Sequence, residues 1–113
     1  MMISKALIAA STKPLLLSIL QDGESYGYQI IRKMRALSGG HLEWSFGMLY
    51  PVLHRLEKDG FIASKWESSG VGRLRKYYRL TETGILELER DKAQWLTVHD
   101  VFARLWKKSE AVT

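Results

Sequence analysis

SFGMLYPVLHRLEKDGFIASKWESSGVGRLRKYYRLT, residues 45–81, changes its hydrophobic period once, and that change decides the fold. In its first part Phe46, Leu49, Val52, Leu53 and Leu56 recur at helical spacing, which predicts a helix over about 45–59 with these side chains as its buried stripe. Ser45 is the candidate N-cap, and Gly60 can take the left-handed conformation that ends a helix. Pro51 lies near the first turn, where fewer backbone donors have partners to lose. From Phe61 the period becomes two. Phe61–Ser68 and Lys76–Thr81 are rich in aromatic and β-branched residues, with a basic, glycine-containing loop between them. That pattern predicts a hairpin with a long tip.

Two more helices are predicted upstream. Residues about 3–21 carry Leu15, Leu16, Ile19 and Leu20 on one face, with a bend expected at Pro14 and a stop at Asp22-Gly23. Residues about 25–38 repeat Ile30, Ile31, Met34 and Leu37, with Ser25 as N-cap and Gly39-Gly40 as the end. Downstream, a long helix is predicted over about 82–108, with Thr81 as N-cap and Glu82 in its first turn. Leu88, Trp95 and Phe102 fall seven apart, and Val98 and Leu105 interleave with them, a coiled-coil-like seam broken by Asp91. Ser38-Gly39-Gly40 and Ser68-Ser69-Gly70-Val71-Gly72 read as turns rather than linkers. The fold class is therefore mostly α with a small β-hairpin. It comprises a winged helix-turn-helix over residues 1–81 and a long C-terminal dimerisation helix and tail over 82–113.

Composition narrows the function. The chain has 113 residues, enough for one small domain. The absence of cysteine excludes disulfides, thiolate zinc sites and thiol catalysis. Ala6-Leu7-Ile8-Ala9-Ala10 is too short for a signal core, and Lys13 and Pro14 interrupt any membrane span, so a cytoplasmic location is expected. The net charge of +5 favours a polyanionic partner. His41, His54 and His99 are scattered without metal-ligand spacing, and Ser45 has no partnered histidine and acid. Gly70-Val71-Gly72 lacks the strand-to-helix setting of a nucleotide loop, and Glu87, Glu89 and Asp91 read as a solvated helix segment. No enzyme, metal or cofactor is expected.

In winged helices the third helix enters the major groove and the hairpin tip lies along the backbone. With the apolar stripe turned inward, Met48, Tyr50, His54, Arg55 and Lys58 face outward, side chains suited to base edges and phosphates. Between Gly60 and Leu80 the cations are Lys65, Arg73, Arg75, Lys76 and Arg79, against Glu67 alone. Arg73, Arg75 and Lys76 cluster at and just after the tip, where they can track phosphates.

Leu49-Tyr50-Pro51, Leu53, Arg55-Leu56-Glu57, Asp59-Gly60 and Ile62 together resemble the signature of PadR-type regulators. Tyr77-Tyr78-Arg79-Leu80-Thr81 with Gly84, and Tyr26-Gly27-Tyr28-Gln29-Ile30 in the second helix, extend the likeness over roughly residues 12–106. Met48 departs from the small polar residue usual before Leu-Tyr-Pro, which bears on base preference rather than on fold. The resemblance implies a bacterial or archaeal homodimeric repressor. Short members dimerise through a single C-terminal helix, and some bind flat hydrophobic compounds between the subunits.

The candidate DNA-contacting set is Tyr28, Ser45, Met48, Tyr50, His54, Arg55, Lys58, Arg73, Arg75 and Lys76. The candidate dimer interface is Leu88, Trp95, Val98, Phe102, Leu105 and Trp106, and the candidate effector site is Trp95, Val98, His99 and Phe102. Trp95 and Trp106 are eleven apart, close to three turns, and so share a helix side. Bulky rings at a seam can leave a slot for planar molecules, or can simply be interface core. The expected partners are a near-palindromic duplex operator, a second copy of the chain and a planar hydrophobic compound. A protein- or RNA-binding winged helix is the alternative, since fold does not fix function. A membrane-surface role for residues 3–20 is weaker, because their polar face has too few cations for anionic lipid.

Overall fold

The computed structural model describes residues 1–68, 70 and 72–112, with side chains to Lys107. Ser69 and Val71 of the expected tip turn and Thr113 of the tail lie outside the described residues. Helix α1 spans Lys5–Gln21 and is capped by Ser4, whose hydroxyl accepts the Leu7 N–H at 3.2 Å. Strand β1 is Ser25–Tyr26, α2 is Gly27–Leu37 and α3 is Phe46–Lys58. Strands β2, Ile62–Ser68, and β3, Leu74–Leu80, form the hairpin, and α4 runs over Glu82–Val112. The three antiparallel strands lie in the order β1-β3-β2.

The expected N-cap of the second helix is corrected. Ser25 does not cap α2; Ser25 and Tyr26 pair with Tyr78 and Tyr77 on the free edge of β3. That pairing satisfies backbone groups of β3 that a two-stranded hairpin would leave open. The Ser25 side chain is fully buried, and its hydroxyl accepts a hydrogen bond from Lys33 Nζ at 2.9 Å. Helix α2 starts after Tyr26 with no side-chain cap. The cap expected at Ser45 is present: its hydroxyl accepts the Met48 N–H at 3.2 Å.

Leu16 and Leu17 of α1, Ile30 of α2, Leu49 and Leu53 of α3, Ile62 of β2 and Leu88 of α4 are fully or almost fully buried and form the core. Phe46, expected inward, is exposed and stacks on Tyr50 with ring centroids 5.5 Å apart. At the junction of wing and α4, the Thr81 hydroxyl donates to the Gly60 carbonyl at 2.6 Å and accepts the Gly84 N–H at 3.0 Å. Gly84 lies so close to the chain that a Cβ there would run into the Phe61 carbonyl oxygen. The first turns of α4 are thereby seated on the winged-helix core.

Two expectations on α4 are corrected by that seating. Leu88 is enclosed by its own chain, so it has no surface left to offer a partner. Glu87 and Asp91 are mostly buried and paired rather than solvated: Lys13 Nζ of α1 lies 2.9 Å from Glu87 and 3.5 Å from Asp91. Burial disfavours the Lys13 charge, but the Glu87 hydrogen bond and the nearby Asp91 outweigh it and hold the ammonium pKa above its ordinary value. The core thus crosses the boundary drawn between Thr81 and Glu82. From Ala93 to Lys107 the residues of α4 are solvent-facing, and from Gln94 on all of them are well exposed. A helix of 31 residues is about 46 Å long at about 1.5 Å per residue, which accounts for the 62 × 30 × 21 Å extents.

Candidate nucleic-acid interface

Leu49, Leu53 and Leu56 anchor α3 to the core. At about 100° per residue, the centre of the opposite face is Gly47, Pro51, His54 and Lys58, and all four are exposed. Tyr50 borders this face on the side of the wing. Arg55 is exposed on the other flank, where it lines a hollow with Lys13, Phe61 and Glu87. Met48 is half-buried and packs against the core. Ser45 spends its hydroxyl on the cap.

A second hollow, of about 310 Å³, lies between the start of α3, the start of α2 and the wing. Tyr28 and Tyr50 line it from the helices, and Arg73, Arg75 and Lys76 from the wing. Gly27 permits this approach: a Cβ there would sit 3.3 Å from the Tyr50 hydroxyl. The Arg75 guanidinium lies 4.4 Å from the centre of the Tyr26 ring, which meets Tyr77 edge-on at 5.4 Å. A cation held over an aromatic face keeps its charge while its position is fixed. Lys76 is tied differently. Its ammonium is 3.8 Å from Glu57 of α3, and Glu57 also accepts the hydroxyl of Ser64 on β2. Glu57 thus braces both wing strands against α3. Tyr78, buried beside this brace, has its phenol pushed up to about 12, by burial first and then by Glu57 and Tyr50.

The structure therefore gathers Tyr28, Tyr50, Arg73, Arg75 and Lys76 around one hollow. It leaves His54 and Lys58 along the α3 face, turns Arg55 to the hollow beside α1 and packs Met48 against the core. Five further residues line the hollow and were not in the DNA-contacting set expected from sequence: Tyr26, Gly27, Phe46, Trp66 and Leu74. The available signal was the large apolar Trp66 and Leu74 in the polar, basic stretch around the hairpin tip.

On α4, Trp95, Val98, His99, Phe102, Leu105 and Trp106 are all exposed and fall within an arc of about 120°. Phe102 and Trp106 stack with centroids 4.9 Å apart. Trp95 borders a largely apolar groove of about 450 Å³ with Leu15, Pro14 and Ser18 of α1 and Leu88 at its base, and it also lines a smaller hollow with Gln94 and Val98. His99 and Phe102 line neither. Among the described residues no group of three histidine or acidic side chains could hold a metal, and no helix is long and apolar enough to cross a membrane.

Residues 16–90 match the family described as Transcriptional regulator PadR-like family. The chain is 31% identical over 84 residues to the Negative transcriptional regulator PadR of Bacillus subtilis, covering 74% of this chain and 44% of that protein. It is 26% identical over 100 residues to an uncharacterised protein of Lysinibacillus sphaericus, covering 88% and 92%. The chain thus spans nearly all of the one relative and under half of the other. A transcriptional regulator from Clostridium thermocellum has the same fold, with a TM-score of 0.81 at 30% identity over 90% of this chain and 96% of that one. A PadR-like transcriptional regulator from Bacillus cereus gives 0.79 at 29%, over 89% and 96%. With two thirds of its length matched by the family and about nine tenths of it matched in fold by solved regulators, the chain belongs to the PadR-like family of DNA-binding transcriptional regulators.

Proposed function

We propose that two copies of this chain bind a near-palindromic duplex operator as a repressor, and that a planar hydrophobic compound between the two α4 helices releases it. The observation that carries the reading is the alignment of the exposed α3 face with the basic, aromatic hollow at the wing. His54 and Lys58 lie where a helix meets base edges and phosphates, and Arg73 and Arg75 lie where a wing meets the backbone. The repressor sense is supported by the name of the Bacillus subtilis relative, a negative regulator.

Dimerisation is supported by α4. Trp95, Val98, Phe102, Leu105 and Trp106 form an exposed apolar stripe on a helix that projects beyond its own core. Burying such a stripe on a second copy removes it from water, at about 25 cal/mol per Å². Leu88 takes no part, so the interface starts one turn or more beyond it. Residues 1–81 with the first turns of α4 form the DNA-binding unit, and the remainder of 82–113 forms the dimer arm. Trp95, Val98, His99 and Phe102 are the effector candidates. A ligand there would act by favouring a dimer with a different spacing of its α3 helices, because equal affinity for both states shifts nothing. Selection of bound duplexes from a random pool tests the reading: an enriched motif with a dyad is expected, and failure to enrich any motif would refute it.

A further inference from the structure

The hairpin register places two large apolar side chains where the wing has no core to bury them. Ser68 opposes Leu74, and Trp66 opposes Lys76. Alternate residues share a sheet face, so Trp66 and Leu74 are diagonal neighbours. The same face carries Ser64, which reaches Glu57 on α3, so it is the face turned toward that helix. Nearer the core this face is covered, with Ile62 and Tyr78 buried, but Trp66 and Leu74 remain 64% and 63% exposed. Across the hollow stands the stacked pair Phe46 and Tyr50. Cations border the same hollow: Arg73 and Arg75 line it, and Lys76 Nζ lies 6.0 Å from the centre of the Trp66 ring.

Apolar walls bordered by cations match the surface of a nucleic-acid strand, on which phosphates alternate with sugars. A deoxyribose ring presents mostly C–H surface, since it lacks the 2′-hydroxyl of ribose. We propose that Trp66 and Leu74 pack on deoxyribose rings of a duplex-DNA strand seated between α3 and the wing, giving binding a component that salt does not screen. The proposal rests on the DNA-binding reading of the wing and adds to it, because a wing acting through cations alone would bind in a wholly salt-dependent way.

The test uses the full chain and its selected duplex over a salt series. Trp66→Thr with Leu74→Thr places strand-favouring β-branched residues at both positions while removing the apolar wall. It is expected to weaken binding about tenfold at every salt concentration, with the log–log salt slope unchanged. Arg73→Ala with Arg75→Ala should instead make the slope shallower by about 0.9 for each phosphate no longer neutralised. A Thr pair that binds like the parent, or whose slope falls as in the arginine variant, overturns the inference while leaving DNA binding intact. A parent chain that binds no duplex overturns both. An independent reading comes from Trp66→Phe, which keeps an apolar ring: its DNA-linked change in tryptophan emission should be smaller than the parent's. An equal change would show that Trp66 does not meet the DNA.

Discussion

Leu88→Ala separates the core of one chain from the seam between two. Leu88 is fully buried and packs in the cluster that includes Leu16 and Leu17 of α1. Truncating it removes buried contacts at the base of the groove between α1 and α4, a change that costs about 2–5 kcal/mol. The upper half of that range applies where neighbours cannot collapse. Here α1 is held to α4 by the Lys13 pairs, and Gly84 abuts Phe61, so relaxation is restricted. We expect about 3–4 kcal/mol, a large share of the roughly 5–15 kcal/mol that keeps a domain folded. Urea unfolding followed at several protein concentrations is the assay. The loss should be the same at each concentration, and the dimer dissociation constant measured by sedimentation of the folded protein should be unchanged. Phe102→Ala is the contrast: it should weaken the dimer while leaving the fold of each chain intact. A Leu88→Ala variant that loses under about 1 kcal/mol, or that dissociates without unfolding, would refute the assignment of Leu88 to the core.

Three further outcomes are expected. The Lys13 pKa is raised in the fold, so its contribution to stability is complete below the unfolded lysine value of about 10.4 and fades as pH rises through the higher folded value. Lys13→Met should lack that alkaline loss, and parallel loss in parent and variant during urea titrations would contradict the pairing. One of the five tyrosines should ionise only near pH 12 by ultraviolet titration, and Tyr78→Phe should remove that step; five tyrosines titrating together in the folded protein would contradict the burial of Tyr78. A planar aromatic compound should quench tryptophan emission and lower DNA affinity, with coupling of about 1–3 kcal/mol. Trp95→Ala, once shown to dimerise and bind DNA, should lose both responses, and equal responses would make Trp95 interface core only.

The order of elements was legible because each long element has its own period. Helical spacing in Leu49, Leu53 and Leu56, followed by the shift at Phe61, located α3 and the wing within a residue or two. Strand β1 was not legible, because two residues have no period; only the open edge of β3 required them. Phe46 fitted the helical stripe by spacing, yet it lies at the first turn of α3, beyond the cover of the core. Leu88 carried a heptad signal that could not distinguish a partner helix from α1 of the same chain, since both offer an apolar face at the same spacing. The charge of the wing was visible, but its division was not. That Lys76 turns to Glu57 while Arg75 lies over Tyr26 depends on the sheet register and on β1.

The most direct measurement is the affinity and mass of the complex between the full chain and its selected duplex, with random duplex DNA as competitor at physiological salt. A homodimeric regulator should place two chains on each operator, protecting two half-sites about 34–36 Å apart or a multiple of that. It should prefer the operator at least about 10³-fold over random sequence. One chain per duplex without a dyad, or equal affinity for operator and competitor, would contradict it.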